Sequence, residues 1–292
     1  MADSISTGDT LDDIVNEVIF NLVGGDIGNV AALTSAIDEE TLTIPLDSVA
    51  NVSRSVIEID NELMLVSSVD QNTNTATLFT RGRGYRSTVA VEHEAGSIVS
   101  IAPPVARASA IREINNEVAS LAPVLPAVKV IEVEASGGWA VLPASAESVL
   151  DVYLQRSQTW ERIAHWEAGT GVPADLAYTG RGVRSPLFND GDVVQVTIGV
   201  QPTEFTETTD TFDLTGLPRS MRTVVVLGAV LRLLPAFDAY RLLLARVGDS
   251  AQAQVGPASV LAREVKSRRA ELLGAEVKAF KSKYPARVHF TR

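Results

Sequence analysis

The sequence predicts an α+β fold in which a helical core carries two inserted small antiparallel β-units. The prediction depends on the hydrophobic spacing, which alternates along the chain between about 3.6 residues, typical of helices, and 2, typical of strands. A hydrophobic content of 46% over 292 residues is enough to bury a core. Six segments are expected: 1–40, the N-terminal helical part of the core; 41–103, a small β-module; 104–125, a core helix; 126–203, a sandwich- or barrel-like insertion; 204–285, the C-terminal helical core; and 286–292, an extended docking tail.

The first helix is predicted from "LDDIVNEVIFNLV", where apolar residues recur at helical spacing. Thr10 and Asp13 form a capping-box-like start, and Gly24-Gly25 marks the end. The next stretch, "IGNVAALTSAI", predicts a short second helix. Residues 41–103 then show short alternating runs separated by Asn, Asp and Thr clusters, which favour hairpin turns.

Pro103-Pro104 ends this β-module, and "RASAIREINNEVASL" predicts the next helix. Residues 128–200 again show short strand patterns, with turn signals at Gly137-Gly138 and at Asn189-Asp190-Gly191, so a small sandwich or barrel is expected. The last third predicts helices again. We expect a break at Pro235 and a final helix from about Ser259 to Tyr284.

The charge is unevenly distributed. The net charge is −11, but residues 257–292 are +6 and residues 1–256 are therefore −17; ten carboxylates and no Lys or Arg precede Arg54. A chain with an acidic N-terminal part and a basic C-terminal part favours contact with copies of itself or with an acidic partner. The alternative is that the basic residues form a solvated helix face. The candidate ring or partner contacts are Arg263, Arg268, Arg269, Lys278, Lys281, Arg81, Arg83 and Arg86.

The residues needed for catalysis are scarce. The chain has no cysteine, and its three histidines lie in different segments. In "VEHEAG" a strand would point His93 away from Glu92 and Glu94, so a structural hydrogen-bonding histidine is favoured over a metal ligand. No phosphate-binding loop, dinucleotide fingerprint, nucleophile elbow or zinc-protease motif occurs. We therefore expect no enzyme, with no catalytic, cofactor-binding or metal-binding residue.

The stretch "RGRGYRSTVAVEHEAGSIV" has two interpretations. Its Arg-Gly pair occurs once, without the aromatic interleaving and basic surroundings of nucleic-acid-binding segments. A glycine-bearing loop between strands, in which Gly82 and Gly84 supply unusual φ angles, is favoured over a nucleic-acid hook.

This stretch, with the strands before it, resembles a short β-module of tailed-phage structural proteins. The residues that carry the resemblance are Asp60, Glu62, Val69, Asp70, Arg81, Gly82, Thr88, His93 and Gly96; Ser87-Thr88 stands where Gly-Thr is expected. The wider order, ending in "LPRSMRTVVVLGAVLRLLPAFDAYR" and a long helix before "YPARVHF", resembles the head-to-tail adaptor (connector) proteins of siphophages, particularly actinobacteriophages. The resemblance covers most of the chain.

The resemblance implies a structural protein of the virion neck, assembled in the host cytoplasm. A helical core would form a ring, usually twelvefold, under the portal and line the DNA channel. Its partners would be its own copies, the portal protein and a downstream neck or tail-completion protein, with no membrane. DNA would pass without sequence-specific binding, which the acidic excess suits. The alternating tail residues Arg287, Val288, His289 and Phe290 would dock on the portal as an added strand, unless the tail is disordered.

Two alternatives remain. The first is a minor tail or decoration protein of the virion that carries the same β-module. The second belongs to another class: a carbohydrate-binding module or enzyme built on residues 126–203, where Trp139, Trp160 and Trp166 would stack on sugar rings. Core packing of these tryptophans is favoured over stacking, and Trp160 and Trp166 are expected to share one strand face.

Overall fold

A computed structural model describes residues 9–24, 28–172, 180–247, 258–285 and 287–290. The described residues form four α-helices: α1 (Leu11–Val23), α2 (Arg107–Leu121), α3 (Arg222–Val247) and α4 (Ala258–Lys283). The chain divides into two compact units. Unit 1 comprises Met1–Ile114 and Val226–Ser267, and unit 2 comprises Asn115–Val225 and Arg268–Arg292.

Unit 1 contains a six-stranded antiparallel sheet with the order β1-β6-β3-β4-β5-β2. Its strands are β1 (Asn29–Ala32), β2 (Thr43–Pro45), β3 (Val56–Ile59), β4 (Glu62–Asp70), β5 (Thr75–Leu78) and β6 (Ile98–Ile101). Just beyond the two edge strands, Leu33 bridges to Leu46, so the sheet curls until its edges meet. Ile44, Ile57 and Met64 are fully buried in the core that the sheet encloses.

Unit 2 contains an eight-stranded antiparallel sheet. Its strands are β7 (Ala127–Ser136), β8 (Trp139–Val141), β9 (Ser148–Arg156), β10 (Thr159–Arg162), β11 (Glu167–Gly169), β12 (Gly182–Arg184), β13 (Val193–Val200) and β14 (Val288–His289). The order is β10-β9-β13-β7-β8-β12-β11, and β14 also pairs with β9. Only residues 163–166 separate the two edge strands β10 and β11, so this sheet also curls. Its interior is a second apolar cluster that includes Val149, Val196 and Ile198.

The prediction of a helical core with two small β-units is wrong. The described residues form two large curled sheets of six and eight strands, each with an apolar cluster of its own. Short strands do form within residues 41–103 and 128–200, as expected, but β1 lies outside both ranges, and the strand pairing joins residues far apart in sequence. For example, β7 pairs with β13, and Ala127 lies opposite Val200. Local hydrophobic spacing carries no information on such pairing, so a prediction based on it underestimates the number of strands that join in one sheet.

Helix predictions had mixed outcomes. The first helix is confirmed: Thr10 and Asp13 form a capping box, and Gly24 ends α1 with a φ of 67°. The predicted second helix is wrong, because residues 29–32 form β1 and pair with β6. The predicted break at Pro235 is wrong, since α3 continues through this residue.

One stretch, residues 219–237, is long and apolar enough to cross a membrane; it comprises the first part of α3 and the three residues before it. Half of this stretch is buried inside the protein. The absence of a membrane partner stays a prediction.

A buried carboxylate joins α2 to the sheet of unit 1. Glu58 on β3 is 2% exposed, and it accepts hydrogen bonds from the backbone N–H groups of Arg107 and Ala108 at distances of 3.0 and 3.1 Å. A carboxylate is favourable at this place because the first N–H groups of a helix lack partners within the helix. Burial nevertheless raises the pKa of Glu58 to about 6, against the lowering effect of these two N–H groups and of the Arg107 guanidinium.

Candidate functional site

The polar residues of the β-module converge on Glu62, the first residue of β4. Glu62 is 1% exposed. Its Oε1 accepts hydrogen bonds from Arg83 Nε at 2.8 Å and Gly84 N at 2.9 Å, and its Oε2 accepts from Arg83 Nη2 at 3.0 Å and Val91 N at 3.1 Å. His93 Nε2 lies 3.0 Å from Oε2. We call these residues, together with Asp60, the Glu62 cluster.

The buried Glu62 carboxyl is kept ionised by its donors. Burial raises the pKa of this group, but hydrogen bonds from Arg83, Gly84, His93 and Val91 together outweigh that effect and hold the pKa below its usual range. Neither charged partner is left without hydrogen bonds, since Arg83 also donates to the backbone carbonyls of Asp38, Thr41 and Val91. The arrangement satisfies a buried charge pair, because each charged group is hydrogen-bonded within the module.

His93 lies at the inner end of the cluster. Its side chain is buried, and its Nδ1 lies 2.7 Å from Asp60 Oδ2. Its backbone N–H donates to Ile37 O, and its own carbonyl accepts from Ile37 N, at 2.9 and 3.0 Å. His93 therefore makes hydrogen bonds of the predicted kind, and its carboxylate partners are Asp60 and Glu62, not the sequence neighbours Glu92 and Glu94.

The Glu62 cluster holds the loop of residues 81–92 in a strained conformation. Gly84, Arg86 and Ser87 all have positive φ angles, of 58°, 55° and 67°, which non-glycine residues rarely adopt. Thr88 contributes a further attachment, because its Oγ1 accepts from Leu63 N at 3.1 Å and donates to Tyr85 O at 3.0 Å. The prediction of a glycine with an unusual φ angle in this loop is confirmed for Gly84 and is wrong for Gly82, whose φ is not positive.

The same loop displays apolar and basic side chains to solvent. Val89 is 74% exposed and Val91 is 42% exposed. Arg81 is also exposed, and the guanidinium of Arg86 lies over the Tyr85 ring, 5.6 Å from its centroid. A rigid loop with such an outer surface is suited to contact with another macromolecule.

Most residues that carry the resemblance occupy structural positions in this module. Asp60, Glu62, Thr88 and His93 come together in or beside the cluster, while Asp70 accepts from Asn72 N at 2.9 Å at a hairpin turn. Sequence reasoning missed the link between Glu62 and Arg83. The sequence did contain a signal for this link: Glu62 begins the apolar stretch "ELMLV", and a carboxylate that is buried with such a stretch requires a positively charged partner.

The basic residues proposed for ring or partner contacts divide into two groups. Some already pair within the chain: Arg83 lies in the Glu62 cluster, Arg269 Nε donates to buried Glu117 at 2.8 Å, and Arg268 donates to Glu271 at 2.9 Å. The other group forms no ion pair with any residue that the structure describes. Its members are Arg81, Arg86, Arg263, Lys278 and Lys281. A contact role for either group stays a prediction.

The tail residues predicted to dock on the portal lie against this chain's own sheet. Val288 and His289 form β14 and pair with Val149 and Ser148 of β9. Phe290 is 9% exposed within the cluster of unit 2, and Arg181 lies over its ring, 5.6 Å from the centroid. Arg287 lies in the same way over Phe280. Residues 286, 291 and 292 lie outside the described residues, and portal docking stays a prediction.

Two of the three tryptophans line one cleft of about 680 Å³ in unit 2. They are Trp139 and Trp166, and both are half-buried. Trp160 lies on β10 and does not line this cleft. The strand face that Trp160 and Trp166 were expected to share does not form, because β10 ends at Arg162.

Comparison with known proteins adds no family assignment. No protein-family model matches the chain, and no curated protein matches it at a significant level of similarity. Across the part of the chain that the structure describes, no group of three or more His, Asp or Glu side chains is placed to hold a metal ion. The function is therefore inferred from the residues and their geometry.

Proposed function

We propose that the protein is a structural virion component, a head-to-tail adaptor whose copies form a ring under the portal and line the channel through which DNA passes. The proposal starts from the order of elements along the chain and from the β-module, which resemble siphophage adaptors. The described geometry supports it at two surfaces that are suited to contact with further protein subunits.

The main supporting observation is the exposure and charge of α4. This helix is about 40 Å long, since 26 residues each rise 1.5 Å. Of its described side chains, residues 260–283, only Phe280 is buried, while Val260 is 53% and Leu261 is 39% exposed. Seven basic and three acidic residues give α4 a charge of +4. An exposed helix with apolar and basic side chains is typical of a protein contact surface.

The opposite charge is found at the start of the same chain. Residues 1–53 carry ten carboxylates and no Lys or Arg. Contact between α4 of one copy and this anionic segment of the next would be head-to-tail, and a head-to-tail contact that closes produces a ring. Charge complementarity thus favours the ring over an isolated monomer.

The loop of residues 81–92 supplies the second surface. Because the Glu62 cluster fixes its backbone, Val89, Val91 and Arg81 are held in place before any partner binds, which lowers the entropy lost on association. The same preorganised loop would suit a minor tail or decoration protein. Copy number and portal binding separate these two virion roles.

Mass measurement in solution tests the proposal. Mass photometry or analytical ultracentrifugation of the purified chain, alone and with a candidate siphophage portal ring, should give a species of about 370 kDa, twelve copies of 31.1 kDa, or its addition to the portal. A 31.1 kDa monomer that ignores the portal would contradict the adaptor proposal. That result would favour a peripheral virion protein.

A further inference from the structure

The cleft that contains Trp139 and Trp166 has the size and lining of a small-ligand site. Its volume of about 680 Å³ lies in the range of pockets that bind small molecules. It combines two indole side chains with the charged side chains of Glu167 and Arg184. The remaining lining residues are Gly137, Gly138, Ala164, His165, Ser185 and Pro186.

The strand register explains how the indole and the charged groups meet. Arg184 on β12 lies opposite Trp139 on β8, and Glu167 on β11 lies opposite Arg184. Directly opposite residues of antiparallel strands project from the same face, so the three side chains form one row. The guanidinium carbon of Arg184 is 5.7 Å from the Trp139 ring centroid. Its Nε and Nη2 donate to Glu167 Oε2 at 2.9 and 2.5 Å.

Access to this row is left open by the adjoining turn. Gly137 and Gly138 connect β7 to β8 with φ angles of 58° and 78°, and apart from the two neighbouring residues no atom lies within 4 Å of the position that a Cβ on Gly138 would occupy. The carboxylate of Asp190 accepts from Gly137 N at 2.6 Å and fixes the turn from its other side. Because neither residue of the turn has a side chain, the turn adds no bulk at this edge of the cleft.

The charge of this β-rich segment selects against phosphate-bearing ligands. Residues 126–203 carry five basic and nine acidic residues, a net charge of −4. The one arginine in the cleft, Arg184, is already paired with Glu167. A nucleotide or nucleic acid needs unpaired positive charge near its phosphates, and this cleft does not offer it. A neutral ligand with apolar faces and many hydroxyl groups avoids that penalty.

We propose that this cleft binds a neutral saccharide. A sugar ring would contact the accessible parts of two indoles: that of Trp139, over whose ring Arg184 lies, and that of Trp166, which packs partly against the apolar cluster of unit 2. The Glu167 carboxylate and the Arg184 guanidinium would respectively accept from and donate to adjacent hydroxyls. Their ion pair brings both groups to the same edge of the cleft. This site does not depend on ring assembly or on the adaptor role.

A glycan array followed by titration tests the site. The labelled full-length protein is applied to an array of neutral hexose and N-acetylhexosamine oligosaccharides that also holds acidic glycans, and the strongest neutral binder is titrated while tryptophan fluorescence is recorded. We expect binding with a change in fluorescence, weakened about tenfold by Trp139→Ala or Trp166→Ala, as loss of an aromatic contact predicts. Trp160→Ala is the matched control and should bind like the wild type.

A second variant, Glu167→Ala, tests the site by changing an exposed residue, so that weaker binding cannot be attributed to unfolding. The Glu167 side chain is 69% exposed, so Glu167→Ala leaves the sheet core intact. It removes the carboxylate from the cleft and leaves Arg184 without this ion-pair partner. It should also weaken binding about tenfold while circular dichroism stays unchanged. The saccharide site is refuted if no neutral glycan binds at millimolar concentration, if only acidic glycans bind, or if Trp160→Ala weakens binding as much as Trp139→Ala. The oligomeric mass of these variants should equal that of the wild type.

Discussion

Arg83 and Glu62 form a buried two-pronged ion pair, with Nε 2.8 Å from Oε1 and Nη2 3.0 Å from Oε2. The side chain of Glu62 is fully buried and that of Arg83 is 7% exposed, so both charges have lost most of their hydration. Such a pair adds little net stability, because desolvation offsets much of the attraction. The pair connects the loop of residues 81–92 to the first residue of β4.

Replacing Glu62 by Gln should strongly destabilise unit 1. The substitution leaves the Arg83 guanidinium buried without its counter-charge, which costs about 3 kcal/mol of unfolding free energy. Urea denaturation followed by circular dichroism measures the loss. Glu92→Gln is the matched control, because Glu92 lies exposed in the same loop, and it should change the free energy by less than about 0.5 kcal/mol. Equal stability of the two variants would contradict the importance of the buried pair.

Substituting Gly84 by Ala should destabilise the protein more than the same change at Gly96. Both glycines have positive φ, 58° and 88°, so each substitution carries a backbone cost of about 1 kcal/mol. At Gly84 the new Cβ would also lie 2.8 Å from Thr88 O, whereas nothing lies within 4 Å of it at Gly96. Thermal unfolding of both variants separates the two contributions, and an equal loss would show that the contact at Thr88 O relaxes freely.

The sequence predicts where individual helices begin and end better than it predicts which strands pair with each other. The start and end of α1 follow from Thr10, Asp13 and Gly24, since caps act within one helical turn. In contrast, "NVAA" at residues 29–32 is short and apolar enough for either helix or strand, and its pairing with β6, about 70 residues later, decides for strand. The helical core was overestimated for the same reason, because the size of a sheet depends on distant pairings.

The candidate sites could be predicted only in part. The stretch "RGRGYR" can be recognised in the sequence as a loop with candidate contact residues, but the sequence does not indicate which of its arginines pairs with Glu62. That pairing depends on the path of the loop, which includes positive φ angles at Gly84, Arg86 and Ser87. The tryptophan cleft illustrates a different limit. Trp139 and Trp166 are 27 residues apart, and they line one cleft because β8, β12 and β11 are neighbours in the sheet.

Glu58 should make stability fall as pH rises through the mildly acidic range. Burial raises its pKa from 4.5 to about 6 in the folded chain, so the folded state binds the proton more tightly than the unfolded state. Its contribution is therefore complete below about pH 4.5 and is lost as pH rises through 6. Relative to Glu58→Gln, the wild type should lose about 1 kcal/mol between about pH 5 and about pH 7.5 in urea unfolding. A difference that does not vary with pH would contradict the raised pKa.

Reversing two charges on α4 should prevent assembly without unfolding the chain. Lys278 and Lys281 are exposed, and the double change Lys278→Glu and Lys281→Glu takes the helix from +4 to 0. If α4 contacts the anionic segment of a neighbouring copy, the assembled fraction seen by mass photometry should fall at least about tenfold, because close charge pairs each contribute more than 1 kcal/mol to such contacts. Lys129→Glu, an exposed charge reversal on β7, should assemble like the wild type. Assembly of the double variant at wild-type level would exclude α4 as the charged ring contact.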